Sequence, residues 1–222
     1  MFRTAFSNVF HVFYNPFHMF KYLKQNPTVL LPCVLLLITY IVFAISIVTP
    51  VSWHAHNQAL ANGEKVVPDA EFMKPAVFLA LSTAPMFNLI LTLFVAVILL
   101  NIFKLFGLIE IPNRHRIQII VSAVLYSSLI TILMFMVKAI LINYTKNIYA
   151  SASMAIFAQN AGYSPDDALF VLCQKTDIFY LWHIAVLSYG IKTIYGCTLL
   201  TGVAYSILLA LLSNILFSYF LY

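Results

Sequence analysis

The chain has 222 residues, of which 63% are hydrophobic and only 9% are charged, and its formal net charge is +5. Because soluble globular domains carry about 25% charged residues, this composition excludes that class and predicts an integral membrane protein. The twelve Lys and Arg residues form no basic run, so a nucleic-acid partner is not predicted.

Phenylalanines recur along the N-terminal segment, residues 1–27, at the spacing of one face of an α-helix. The series is Phe2, Phe6, Phe10, Phe13, Phe17 and Phe20. We expect a cytoplasmic amphipathic segment in which Phe6, Phe10 and Phe13 are the candidate interfacial side chains. Two placements remain open for this segment, namely the headgroup region of the membrane and the cytoplasmic ends of the membrane-spanning helices.

Two Asn-Pro pairs divide the N-terminal segment. Asn15 followed by Pro16 is the pattern of a helix N-cap with proline at the first helical position. Asn26 followed by Pro27 repeats the pattern just before the first apolar run. We therefore expect one helix to begin at Pro16 and the first membrane-spanning helix to begin shortly after Pro27.

Five apolar runs predict an all-α integral membrane protein with five transmembrane helices, because about 20 helical residues cross the hydrocarbon layer. They cover approximately 28–48, 84–106, 117–142, 178–195 and 198–221. The start of the second is open, since Pro85 either kinks the helix or marks its beginning. The last two form a hairpin in which Gly196 is the expected helix stop. The five-span membrane domain, 28–222, thus follows the amphipathic segment.

The distribution of Lys and Arg predicts a cytoplasmic N-terminus and an extracytoplasmic C-terminus. In this orientation the cytoplasmic segments hold seven basic residues and one acid, whereas the outer segments hold five basic residues and six acids. The asymmetry is strongest in the N-terminus and in the short loop 104–116. The outer loops are then about 49–75 and 143–177, and the second contains a short amphipathic helix capped at Ser164.

Three ionisable residues in or beside the predicted spans are candidates for a structural or functional role, because a charge at mid-helix costs about 2.5–3.5 kcal/mol. They are Lys138, Asp177 and His183. On one helix Asp177 and His183 lie about 240° apart, which makes a relay between them geometrically poor. Asp177 is expected to cap its helix and to pair with Lys138 in a structural ion pair. For His183 a hydrogen-bonded place in the bundle is favoured over a titrating role.

No catalytic, cofactor or metal site is predicted, and we expect the protein not to be an enzyme. The sequence holds no GxSxG, HExxH or phosphate-loop motif. The cysteines Cys33, Cys173 and Cys197 are scattered, so neither a disulfide framework nor a zinc site is indicated. His54 and His56 would bind a metal only weakly, and only if their segment were extended.

Two segments carry a family resemblance: NPFHMFKYLKQNP, residues 15–27, and DIFYLWHIAVLSYGIK, residues 177–192. The motif positions are Asn15 and Pro16 in the first segment, and Asp177, Phe179, Trp182 and Gly190 in the second. In these features and in its five spans the chain resembles the Yip family of Ypt/Rab-interacting multi-pass membrane proteins, and most closely its prokaryotic branch.

The Yip resemblance implies a non-enzymatic membrane protein that organises membrane or protein partners. Eukaryotic members bind prenylated small GTPases and carry a long hydrophilic N-terminus with an Asp-Leu-Tyr-Gly-Pro-type motif. This chain has neither feature, so binding of a small GTPase is not predicted, and a prokaryotic plasma membrane is the expected location. The expected partners are the lipid bilayer and either another protein or further copies of the chain.

A small transporter, channel or lipid scramblase, or an accessory subunit of a transporter, is the main alternative function. The kink expected at Pro85 favours it, as do polar residues within the predicted spans, namely Asn88, Lys138, His183 and Asn214. The small size and the absence of an inverted sequence repeat weigh against it.

Overall fold

The computed structural model describes residues 2–63, 67–110, 116–145, 147–148, 153, 158, 160–164, 167, 173 and 177–221. Within these ranges the chain is helical, apart from turns and an isolated antiparallel β-bridge between Ser153 and Asp177. The helices are α1 (Phe2–Tyr14), α2 (Pro16–Gln25), α3 (Leu30–Ala61), α4 (Ala70–Leu105), α5 (Arg116–Ser128), α6 (Ile130–Thr145), α7 (Ile178–Tyr195) and α8 (Leu199–Leu221).

Four helical segments in the described part of the chain are long and apolar enough to cross a membrane. They are Leu30–Ala61, Ala70–Leu105, Ile117–Thr145, which contains α5 and α6, and Leu199–Phe220. The prediction of a helical membrane protein is confirmed at this level. The helix α7 covers the predicted fourth span, but its 18 residues include His183 and Lys192, and it is not among these four. That α7 also spans the membrane, which would bring the number of spans to five, stays a prediction.

The predicted outer loop of about 49–75 is wrong, because α3 continues to Ala61 and α4 already begins at Ala70. The reason is tertiary packing beyond the apolar run. Val51 of α3 packs against an apolar cluster, and Ala70, the first residue of α4, has no exposed surface. Burial of apolar side chains at these positions favours helical structure there.

The second membrane-spanning helix is continuous through two internal prolines, Pro75 and Pro85. Pro85 therefore does not mark the beginning of the helix, while the start of the span within this helix stays a prediction. At the N-terminal end of α4, Glu71 and Lys74 form an exposed salt bridge with a nitrogen–oxygen distance of 2.6 Å.

The predicted third span, 117–142, is interrupted at Leu129, between α5 and α6. The hydroxyl groups of Ser127 and Ser128 both donate to the carbonyl oxygen of Val124, at 2.9 and 2.8 Å. Such back-bonding to the preceding turn competes with the regular helical pattern and bends helices. The short helix predicted after Ser164 lies largely outside the described residues.

The chain divides into two compact units. The first comprises Met1–Leu37, Phe87–Thr131 and Phe179–Tyr222, and the second comprises Ile38–Met86 and Ile132–Ile178. At the centre of the first unit lies α5, in which Ile120, Ala123, Val124 and Tyr126 have no exposed surface. The core of the second unit is built from Phe43, Ile47 and Ile142, with Phe135 packed against it.

Candidate functional site

In the first unit, α2 is held in place by three apolar side chains with no exposed surface. They are Met19, Phe20 and Leu23. The helix begins as the sequence predicts, with Pro16 at its first position and with the Asn15 side chain accepting a hydrogen bond from the backbone amide of His18 at 3.2 Å. It packs against α5, and the ring of Phe20 lies directly over Gly190 of α7.

The preceding helix, α1, is held on the same unit by one face. Asn8 and Val12 are buried, and the ring of Phe13 meets the ring of Trp182 edge-on, with centroids 6.1 Å apart. Trp182 and Gly190, two of the motif positions in α7, therefore both contact the N-terminal helices. The two segments that carry the family resemblance meet in one helix–helix contact.

The opposite face of α1 presents aromatic side chains at the molecular surface. Phe6, Phe10 and Tyr14 are 53%, 53% and 70% exposed, and we call them the aromatic row. The rings of Phe6 and Phe10 meet edge-on, with centroids 5.4 Å apart. The three candidate interfacial phenylalanines thus divide: two belong to the exposed row, while Phe13 faces Trp182.

A pocket of about 510 Å³ opens between α2 and α7. Its lining residues are Phe17, Lys21, Lys24, Gln25, Tyr189, Lys192 and Thr193. The distribution of Lys and Arg predicts Lys192 on the same side of the membrane as α2, but it does not predict that Lys192 lies next to Lys21 and Lys24. The only signal in the sequence is that shared side, because the two groups of lysines lie at opposite ends of the chain.

Two polar side chains of α7 find partners within the first unit. Asn214 of α8 donates to the hydroxyl of Tyr180 at 2.9 Å, and the imidazole of His183 lies beside the backbone of Ser127, near the break at Leu129. The His183 ring stacks on the Tyr180 ring, with centroids 6.4 Å apart. Its Nδ1 atom is enclosed and has no hydrogen-bond partner. His183 is thus enclosed with one unsatisfied nitrogen, and its hydrogen-bonded place in the bundle stays a prediction.

Lys138 and Asp177 both lie in the second unit and interact electrostatically. Asp177 is buried and directly precedes α7, and its backbone forms the β-bridge with Ser153, which is also buried. The two charges are therefore close enough to interact. A direct ion pair between Lys138 and Asp177, and capping of α7 by Asp177, stay predictions. Phe179, in the first turn of α7, is partly buried.

The remaining predicted features are the basic loop 104–116 and the histidine pair His54 and His56. The basic loop 104–116 lies partly outside the described residues. His54 and His56 are on α3 rather than in an extended loop, and the Nδ1 atom of His56 hydrogen-bonds to the carbonyl of Pro68 at 2.8 Å. Among the described residues, no three His, Cys, Asp or Glu side chains come together as metal ligands.

Comparison with protein-family models, with characterised proteins and with solved structures gives no match. The features of the described residues that bear on function are the aromatic row, the lysine-lined pocket and the polar groups of α7.

Proposed function

We propose that the protein is a non-enzymatic, five-span membrane protein of the Yip type, which organises membrane or protein partners through its N-terminal helices. The observation that carries this proposal is the two-sided character of α1. Asn8 and Val12 form its buried face, and Phe13, beside the aromatic row, contacts Trp182 of α7, while the three residues of the row are more than half exposed.

An exposed row of aromatic side chains on a fixed helix is suited to binding. Because Phe6 and Phe10 are each 53% exposed, burial of their remaining surface at a lipid or protein surface contributes about 1–1.5 kcal/mol per side chain. Because α1 is already packed on the bundle, little further ordering of its backbone is needed when a partner binds. Aromatic residues on one helix face are also found in helices that lie on a membrane surface and in helices that bind in an apolar groove of a partner protein.

The proposal includes a cytoplasmic N-terminus, an extracytoplasmic C-terminus and a prokaryotic plasma membrane. The distribution of basic residues supports this orientation, because Lys and Arg in the short segments that flank spans are found mainly on the cytoplasmic side. The shared pocket of Lys21, Lys24 and Lys192 is consistent with it, because that topology assigns all three lysines to one side.

The experiment that tests this function is photo-crosslinking of the tagged protein in its native membrane, followed by mass spectrometry of the products. We compare the wild type with the double variant Phe6→Ser/Phe10→Ser. The control is Phe72→Ser/Phe106→Ser, which removes two exposed phenylalanines from outside α1. Only the first variant should lose the crosslinked partner or lipid, with membrane insertion unchanged in both. Equal recovery from both variants would overturn the proposal.

One observation favours the alternative function, a transporter, channel or scramblase. It is the unsatisfied Nδ1 of His183 beside the hydrogen-bonded pair of Tyr180 and Asn214, because polar groups within spans mark ion and substrate pathways. This function predicts that the purified protein in liposomes conducts an ion or transfers lipid. It also predicts that His183→Phe or Lys138→Met reduces that flux. Absence of flux from the wild type would remove the alternative.

A further inference from the structure

The pocket between α2 and α7 concentrates positive charge. Three of its lining side chains are lysines, none is acidic, and two of the lysines, Lys21 and Lys24, are neighbours on one helix face. Within the described part of the chain, no carboxylate lies at salt-bridge distance from any of the three. Like charges held close together repel one another, so an anion in this pocket would be stabilised by all three.

The pocket is also partly apolar. Phe17 and Tyr189 contribute aromatic walls, and the ammonium of Lys192 lies 5.4 Å from the centroid of the Tyr189 ring. A cation over an aromatic face is attracted to it, which positions this lysine at the pocket wall. A ligand that suits such a lining carries both negative charge and apolar groups.

The position of the pocket relative to the membrane indicates which ligand is available. The helix α2 ends at Gln25, and the membrane-spanning helix α3 begins at Leu30, so the pocket lies at the end of a span, where lipid headgroups are found. Basic pockets between helices at this level bind the headgroups of anionic phospholipids.

We propose that Lys21, Lys24 and Lys192 bind the phosphate headgroup of an anionic phospholipid, with Phe17 and Tyr189 against its glycerol and upper acyl groups. A head with two phosphate groups, as in cardiolipin, matches the charge of three lysines better than a head with one. The volume of about 510 Å³ falls within the range of small-molecule sites. The site depends on the membrane location of the protein and not on the aromatic row of α1.

The test is a titration of the purified full chain, in phosphatidylcholine nanodiscs, with fluorescent cardiolipin. Each lysine near an anionic headgroup contributes roughly a fivefold gain in affinity, so Lys24→Gln/Lys192→Gln should bind about 10- to 30-fold more weakly than the wild type. The matched control is Lys74→Gln/Lys104→Gln, which removes the same charge outside the pocket and should bind like the wild type. Equal weakening of both variants, or of neither, would overturn the site.

Two further arms keep the result interpretable. Lys24→Arg/Lys192→Arg retains the charge and should bind cardiolipin within about threefold of the wild type. If it loses binding as fully as the Gln variant, with an unchanged elution profile, the proposed charge recognition is wrong. Inorganic phosphate serves as competitor: displacement of cardiolipin at equal concentration would assign the site to free phosphate and overturn the lipid. Neither variant changes Phe6 or Phe10, so this outcome is independent of the crosslinking result.

Discussion

The ring of Phe20 fills the space that a side chain at position 190 would occupy. A Cβ atom built on Gly190 lies 2.6 Å from both Cε1 and Cζ of that ring. Carbon atoms do not approach so closely without displacement, and Phe20 has no exposed surface into which it could move freely. The contact between α2 and α7 therefore requires glycine at position 190.

Replacing Gly190 by alanine should destabilise the protein by about 1–3 kcal/mol through overpacking, although the gain in helix propensity offsets up to about 1 kcal/mol. The measurement is thermal unfolding of the purified protein in detergent. The companion variant is Gly190→Ala/Phe20→Leu, whose smaller side chain makes room. The double variant should be less destabilised than the sum of the single changes. Strict additivity would contradict the contact.

Gly202 of α8 should tolerate alanine even less. A Cβ atom there would collide with the backbone carbonyl oxygen of Ser188 on α7, and both residues are buried. Because the obstacle is backbone, truncation of a side chain cannot remove it. Gly202→Ala should therefore lower the unfolding temperature more than Gly190→Ala does, and adding Ser188→Ala should give no recovery. Recovery in that double variant would show that the helices shift easily.

Tyr205→Phe should remove one buried hydrogen bond and little else. The Tyr205 hydroxyl donates to the carbonyl of Ala96 at 2.6 Å, and its ring packs edge-on against Phe103. The phenylalanine ring retains the packing, so the cost is that of the hydrogen bond, about 0.5–1.5 kcal/mol in unfolding free energy. Tyr219→Phe is the control, because Tyr219 is 80% exposed. Equal unfolding midpoints for the two variants would show that the bond adds nothing.

Lys138 and Asp177 should be energetically coupled. In a double-mutant cycle with Lys138→Met and Asp177→Asn, the coupling free energy should be about 0.5–3 kcal/mol, because each single change removes one of the two interacting charges. The exposed pair Glu71 and Lys74 serves as reference, with an expected coupling below about 1 kcal/mol. Independent effects of the two substitutions would exclude the ion pair.

Features that depend on adjacent residues could be predicted from the sequence. Asn15 and Pro16 begin α2 as expected, because a cap involves only the first turn of a helix. The helix α7 ends before Gly196, whose φ of 67° lies in the left-handed region that favours glycine. In both cases the interaction that sets the end of the helix involves only a few neighbouring residues.

Features that depend on distant partners could not be predicted in this way. The phenylalanine periodicity identifies a helix face, but it does not separate Phe13, which meets Trp182, from Phe10, which is exposed. Hydropathy likewise ends the first span before Val51, whereas packing in the core of the second unit extends the helix. The periodicity of apolar residues identifies the faces of a helix, but the contacts of each face depend on the tertiary fold.

The two walls of the lysine pocket come from α2 and α7, and this spacing has a consequence for biosynthesis. At about 5–20 residues per second, the ribosome completes α7 roughly 9 to 34 s after α2. During that interval the ring of Phe20 lacks its partner Gly190 on α7, and the bilayer surface shelters the ring from water. We therefore expect α2 of the nascent chain to bind the bilayer surface until α7 has been synthesised. The pocket forms only after that step.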